Sequence, residues 1–148
     1  MKKVKINKNY IITSFDKEDF NLFKNELFIY LLGQQKNLNF IPKLLDYDCS
    51  KLILKTENSG ISLQEYCDEY GEYEADFNNL IPKIKKIYTK FVKLGYYHND
   101  LRLKNIIINP ENKQLYFIDF EFTDIKYKDL DEENIVKKLK RKSKTKSK

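Results

Sequence analysis

One stretch, residues 97–121, constrains this chain more than any other. It begins Tyr97-His98-Asn99-Asp100-Leu101-Arg102-Leu103-Lys104-Asn105 and continues into an apolar run at 106–108. The turn formers Asn109-Pro110-Glu111-Asn112 follow, then a second apolar run at 115–118 and Asp119-Phe120-Glu121. Two short runs of strand-forming residues around a Pro/Asn turn predict a hairpin. A hairpin brings its outer ends together, so Asp100, Asn105 and Asp119 are expected to converge. Two carboxylates and an amide form a hard-oxygen donor set. Such a set suits Mg²⁺, which keeps several waters and takes few protein ligands.

The order H-x-D-x-x-x-x-N, strand, turn, strand, Asp-Phe resembles the protein-kinase-like superfamily. His98, Asp100, Asn105, Asp119 and Phe120 carry the resemblance. His-Asn-Asp-Leu with Ile-Asp-Phe-Glu is most similar to choline/ethanolamine kinases and related small-molecule phosphotransferases. Compact protein kinases, such as the RIO type and the small kinase of the tRNA-threonylcarbamoyl machinery, are similar too. The resemblance implies an α+β, protein-kinase-like two-lobe fold in truncated form. A small antiparallel sheet and one helix would make the N-lobe, and a reduced helical C-lobe would carry the catalytic hairpin.

It also implies ATP and Mg as cofactors of a phosphotransferase. Asp100 would accept or orient the proton of the attacking hydroxyl, and Asp119 would chelate the Mg²⁺ that bridges the nucleotide phosphates. Asn105 would hold a second metal or fix the loop, and Arg102 would set a cation near the transferring phosphate. His98 is expected to brace the Asp119 turn rather than act as a base. Glu121 replaces the glycine of most protein kinases, where a carboxylate would assist metal binding or stiffen the turn. Asn99 replaces the arginine that in many protein kinases answers an activation-loop phosphate, so control by that route is not expected.

Earlier in the chain, 3–6 and 10–15 read as strands around Asn7-Lys8-Asn9. In a kinase frame they are the second and third strands, and no glycine-rich phosphate loop stands before them. The usual phosphate-pairing lysine would fall at Thr13. If a three-residue loop closes this hairpin, Lys5 lies opposite Ile11 and Lys3 opposite Thr13, facing the site. Lys5 is then the first substitute and Lys3 the second, although both also fit solvated lysines of an edge strand. Residues 16–35 read as a helix with Phe20, Phe23, Leu27, Phe28, Leu31 and Leu32 inward and Gly33 at its fraying end. Glu26 on it resembles the helix glutamate that pairs with the strand lysine.

Residues 40–45, running on to Tyr47, and 51–56 supply two further strands. Glu57, Asn58, Ser59 and Gly60 resemble the hinge, whose backbone groups would hold an adenine edge. Ser62 with Glu65 fits a capping box opening a helix to about Tyr70. Residues 71–79 read as a polar loop. Residues 80–94 read as a helix with Pro82 in its first turn and Ile84, Ile87, Tyr88, Phe91 and Val92 inside. The lysines at 83, 85, 86, 90 and 93 are most simply its wet side. A last helix is expected over 128–140, with Leu130, Ile135, Val136 and Leu139 inward.

The length of 148 residues fits one domain over 1–136, with an N-lobe about 1–57, a hinge about 57–60 and a C-lobe about 61–136. The net charge of +6 is unevenly spread: residues 137–148 hold eight of the 28 basic side chains and none of the 22 acidic ones. The body is therefore slightly acidic, and 137–148 reads as a disordered basic tail able to bind nucleic acid or an acidic partner through charge. Cys49 and Cys67 have no metal-like spacing, and with a single histidine a zinc site is not expected. No run approaches the ~18 apolar residues of a membrane span, so a cytoplasmic protein, or a nuclear one through the tail, is expected. The 27 residues after Glu121 are too few for an ordinary substrate-binding subdomain. That favours a protein substrate over a small molecule, and hence a minimal serine/threonine kinase. The alternatives are an inactive kinase-like binding module, a choline- or aminoglycoside-type kinase, and a nucleic-acid-associated factor that presents the tail.

Overall fold

The computed structural model describes residues 2–70 and 74–128, without the side chains of 74–77. The expected helix over 128–140 and the basic tail lie outside the described residues, apart from Lys128. Strands β1 (Lys3–Ile6) and β2 (Tyr10–Ser14) form a hairpin that continues through β4 (Ile53–Glu57) to β3 (Leu44–Asp48), a sheet ordered β1-β2-β4-β3 with every pairing antiparallel. Helix α1 (Phe20–Gln35) packs against it after a 3₁₀ turn at Lys17–Asp19. A second antiparallel sheet, β5 (Ile61–Ser62), β6 (Ile106–Ile108) and β7 (Leu115–Phe117), adjoins α2 (Leu63–Tyr70) and α3 (Glu74–Lys93). This is an α+β, kinase-like arrangement with the expected sheet, helix and hairpin.

The β1–β2 turn departs from expectation by one residue, with large effect. Ile6 pairs with Ile11, and the turn spans four residues, closed by the Asn7 N–H donating to the Tyr10 carbonyl at 2.9 Å. Asn7 Oδ1 also accepts from the Asn9 N–H at 3.0 Å, the Asx geometry that favours such a turn. A slip of one residue exchanges the faces of a strand. Val4, not Lys3, therefore faces Thr13, and Lys5 faces Ile12. Lys3 and Lys5 are turned to solvent, while Val4 and Ile6 line the cleft.

Helix α1 keeps part of the stripe its apolar residues suggest, with Phe23 buried and Leu27 and Leu32 packed on the core, and loses the rest. Phe23, Glu26, Ile29, Tyr30 and Gly33 are buried, whereas Phe20, Phe28 and Leu31 are exposed. Gly33 is not a fraying end but a contact: a Cβ there would lie 3.1 Å from the Ile41 side chain. The helix thus seats itself through its smallest residue. Phe23 meets Phe15 edge-on at 5.8 Å and Tyr30 meets Phe120 at 5.4 Å.

Helix α3 begins at Glu74, within the stretch expected to be loop, so Pro82 stands inside the helix rather than in its first turn. Proline has no N–H for the carbonyl four residues back. That carbonyl belongs to Asn78, whose residue is exposed. The buried face holds Leu80, Ile84, Tyr88 and Phe91. Phe91 joins Phe40, Phe117 and Phe120 in an aromatic cluster against the β6–β7 hairpin. Ser62 caps α2, its Oγ accepting the Glu65 N–H at 3.1 Å.

Candidate active site

The segment from His98 to Asn105 is built around one buried imidazole. The Asp100 N–H donates to His98 Nδ1 at 3.2 Å, so the ring proton sits on Nε2, which donates to the Ile118 carbonyl at 2.7 Å. His98 therefore ties the loop before β6 to the residue preceding Asp119. Asn105 repeats the tie, with Nδ2 donating to the Asp100 carbonyl at 2.7 Å and its own carbonyl accepting the Ile118 N–H at 3.0 Å. Both ends of the hairpin are locked together by these bonds. Arg102 Nε lies 2.7 Å from Asp100 Oδ1, on the exposed side of the loop.

Asn99 and Asp119 both take left-handed backbone, each with φ 68°. Asn and Asp tolerate that region better than most residues. The Asn99 side chain clasps the chain beyond Glu121. Its Nδ2 donates to the carbonyls of Phe122 and Lys126, at 3.2 and 3.0 Å, and its Oδ1 accepts the Lys128 N–H at 2.9 Å. Phe120 is fully buried against Tyr30, Phe91 and His98, which fixes the turn that carries Asp119.

The cation that meets Asp119 is Lys2, a residue the sequence reading passed over. Its Nζ bonds the Asp119 carboxylate and lies 3.5 Å from Glu26 Oε2 and 3.7 Å from Glu121 Oε2. Lys2 precedes β1 on the same face as Val4 and Ile6, and this is the outcome of the slipped register. Carboxylate oxygens of Glu26, Asp119 and Glu121 all lie within 4.8 Å of one another. Burial pushes Glu26 up to about 8, with Lys2 pulling downward and the neighbouring carboxylates upward. Burial also raises Glu121. Burial opposes the Lys2 ammonium, but Glu26, Asp119 and Glu121 outweigh it and hold its pKa above the ordinary lysine value. Three carboxyl groups share one ammonium, so even with Glu26 protonated the cluster is short of positive charge, the donor chemistry that a divalent cation satisfies. Asn105 uses Nδ2 on Asp100, which fixes the loop and leaves the expected role of its Oδ1 toward a second metal untouched, and the carboxylates grouped with Asp119 are those of Glu26 and Glu121.

A cleft of about 490 Å³ leads from this cluster to the hinge. Val4, Ile6 and Ile11 form one apolar wall and Ile107 and Ile118 another, with Lys2, Glu26 and Asp119 at its inner end. Val4 and Ile6 are exposed although apolar, as residues facing an open slot must be. Glu57, Asn58, Ser59 and Gly60 close the far end. The Asn58 N–H donates to the Asn9 carbonyl and its Nδ2 to the Asn7 carbonyl, so the hinge is bound to the β1–β2 turn. Lys5 lines no part of the cleft.

The choline/ethanolamine kinase family model matches residues 32–138, well over half of the chain. The chain belongs to the choline/ethanolamine kinase family. The family match takes in the loop from His98 to Asn105 and Asp119 but starts after Lys2 and Glu26, so the ion cluster joins residues inside and outside it. Among solved structures, PK-1, the kinase of the Cydia pomonella granulovirus, matches with a TM-score of 0.67 at 17% identity, over 83% of this chain and 48% of that one. Monomeric WbdD matches with a TM-score of 0.58 at 15% identity, over 84% of this chain and 33% of that one. These likenesses show a kinase-like fold, and this family member spans half or less of the length of either. No curated protein matches the chain.

Proposed function

We propose that the chain is an ATP- and Mg-dependent phosphotransferase whose acceptor is a protein hydroxyl, a minimal serine/threonine kinase. The observation that carries this reading is the Lys2–Asp119–Glu26 cluster at the inner end of an apolar slot. The slot suits a flat purine, with hinge backbone at its outer end and charge where phosphates would lie. Mg²⁺ held by Asp119 and Glu121 would neutralise phosphate charge there. Lys2 would contact the phosphates, Glu26 would orient Lys2, and Asp100 would take the proton of the attacking hydroxyl. Asn105 would hold Asp100 in place, and Arg102 would offer a cation to the transferring group.

The acceptor reading rests on charge. Arg102 stands exposed on Asp100, and Lys104 lines the cleft nearby. Two cations beside the base suit a neutral or anionic acceptor better than a quaternary ammonium. Membership of the family favours the second reading, phosphorylation of an amino alcohol. Transfer of γ-phosphate to a mixed protein substrate, to choline and to ethanolamine separates the two, with Asp119→Ala as control. Transfer to protein alone is expected, and transfer to choline or ethanolamine alone would replace it with the second reading. Mg·ATP binding without transfer to any acceptor would leave an inactive kinase-like module.

A further inference from the structure

A second concave surface lies at the other end of the catalytic hairpin, beyond the β6–β7 turn. It is a cleft of about 330 Å³ between α3 and residues 112–115, lined by Lys83, Lys86, Lys90 and Lys113 with Asn39, Asn112 and Gln114 among its polar groups. No carboxylate lines it. Lys83, Lys86 and Lys90 make no ion pair among the described residues, and with Lys93 they recur on one side of a single helix. At 1.5 Å per residue the row from 83 to 93 is ~15 Å long, with steps of about 4.5–6 Å.

A solvated helix face ordinarily mixes signs or pairs its lysines with acids three or four residues away. Here like charges are held side by side on a rigid element, which costs repulsion that an anionic ligand removes. We infer that this groove binds the phosphate backbone of a single-stranded nucleic acid. A regularly spaced row of cations matches a polymer with regularly repeated charge. A concave groove suits a strand better than a flat membrane surface. The amides supply the neutral donors and acceptors that contact phosphate and sugar. The Asn39 side chain makes no hydrogen bond among the described residues, and Asn112 uses only Oδ1, which accepts the Gln114 N–H at 2.9 Å. This site is separate from the proposed nucleotide cleft, and its occupation does not depend on phosphotransfer.

The test is fluorescence anisotropy with a labelled oligoribonucleotide of about 20 residues, at several salt concentrations from about 50 mM upward. Three full-length proteins are compared: wild type, Lys83→Gln/Lys86→Gln/Lys90→Gln, and a variant whose basic residues over 137–148 are changed to Gln. The groove variant should bind about tenfold or more weakly, with its log-affinity against log-salt slope shallower by about 2. Its melting temperature should stay at the wild-type value, and the tail variant should keep the groove-dependent part of binding. Wild-type affinity in the groove variant, loss of all binding in the tail variant, or absence of binding at the lowest salt would overturn the inference. So would competition by polyglutamate equal to that of RNA per unit charge, which would mark an acidic protein surface instead.

Discussion

At the scale of single residues, Lys2 and Glu26 set the behaviour of the site. Replacing Lys2 with Met removes the only cation in contact with Asp119 among the described residues. A fall in phosphoryl transfer of about 100-fold or more is expected, in the range seen when one preorganised charge is removed. Lys5→Met, on the outer face, should leave transfer unchanged. Glu26 offers a pH signature. Its folded pKa of about 8 lies above the ordinary 4.5, so its stabilising contribution is whole below pH 4.5 and is lost as pH rises towards 8. Denaturant titrations should therefore show wild type losing on the order of a few kcal/mol relative to Glu26→Gln between pH 5 and 8. With the Glu26 pKa raised to about 8 by burial, Mg²⁺ drawn to Asp119 and Glu121 beside it should lower that pKa and release a proton. Calorimetry in buffers of different ionisation enthalpy would detect it, and Glu26→Gln would abolish it. The identity of the lysine was hard to see in the sequence because it hung on turn length. Yet the alternation Lys3-Val4-Lys5-Ile6 held the answer, since the apolar members of a two-faced strand share one side, here the side that lines the cleft.

Among the elements, the hinge and the hairpin are held by contact rather than by charge. Gly60 has φ 148°, and a Cβ there would meet the Ile108 carbonyl oxygen at 2.2 Å. Gly60→Ala should cost about 3 kcal/mol and separate the hinge from β6, measurable by urea unfolding and by loss of nucleotide affinity. Gly95 also has positive φ, 99°, but open space around it. Gly95→Ala should cost only the ~1–2 kcal/mol of left-handed backbone. The hairpin was legible because two short apolar runs and an Asn/Pro turn leave few alternatives. The buried face of α1 was legible only at Phe23, Leu27 and Leu32, because Phe20, Phe28 and Leu31 mimic a core stripe that the Gly33–Ile41 contact overrides. The start of α3 was hidden because 71–79 is largely polar and reads as loop, which made Pro82 a first-turn residue of a helix opening at Leu80. In the candidate site, Asp100, Asn105 and Asp119 were legible through spacing and Glu26 through family resemblance, whereas Lys2 required three-dimensional register.

For the molecule as a whole, the cleft joins the β1–β2 hairpin and α1 to the residues around β6 and β7, so a ligand seated in it should stabilise them together. Saturating Mg·ATP at about 100 times Kd should add ~2.7 kcal/mol and raise the melting temperature by several degrees, with Asp119→Asn losing most of the gain. The Asn99 clasp has a consequence for how such a protein is run. One side chain holds Phe122, Lys126 and Lys128 at once, and Phe120 is locked beneath it. Kinases switched by ordering and releasing this stretch need it free to move; here Asn99 holds it by three hydrogen bonds, so on the proposed phosphotransfer output would follow supply of substrate and magnesium rather than an upstream command.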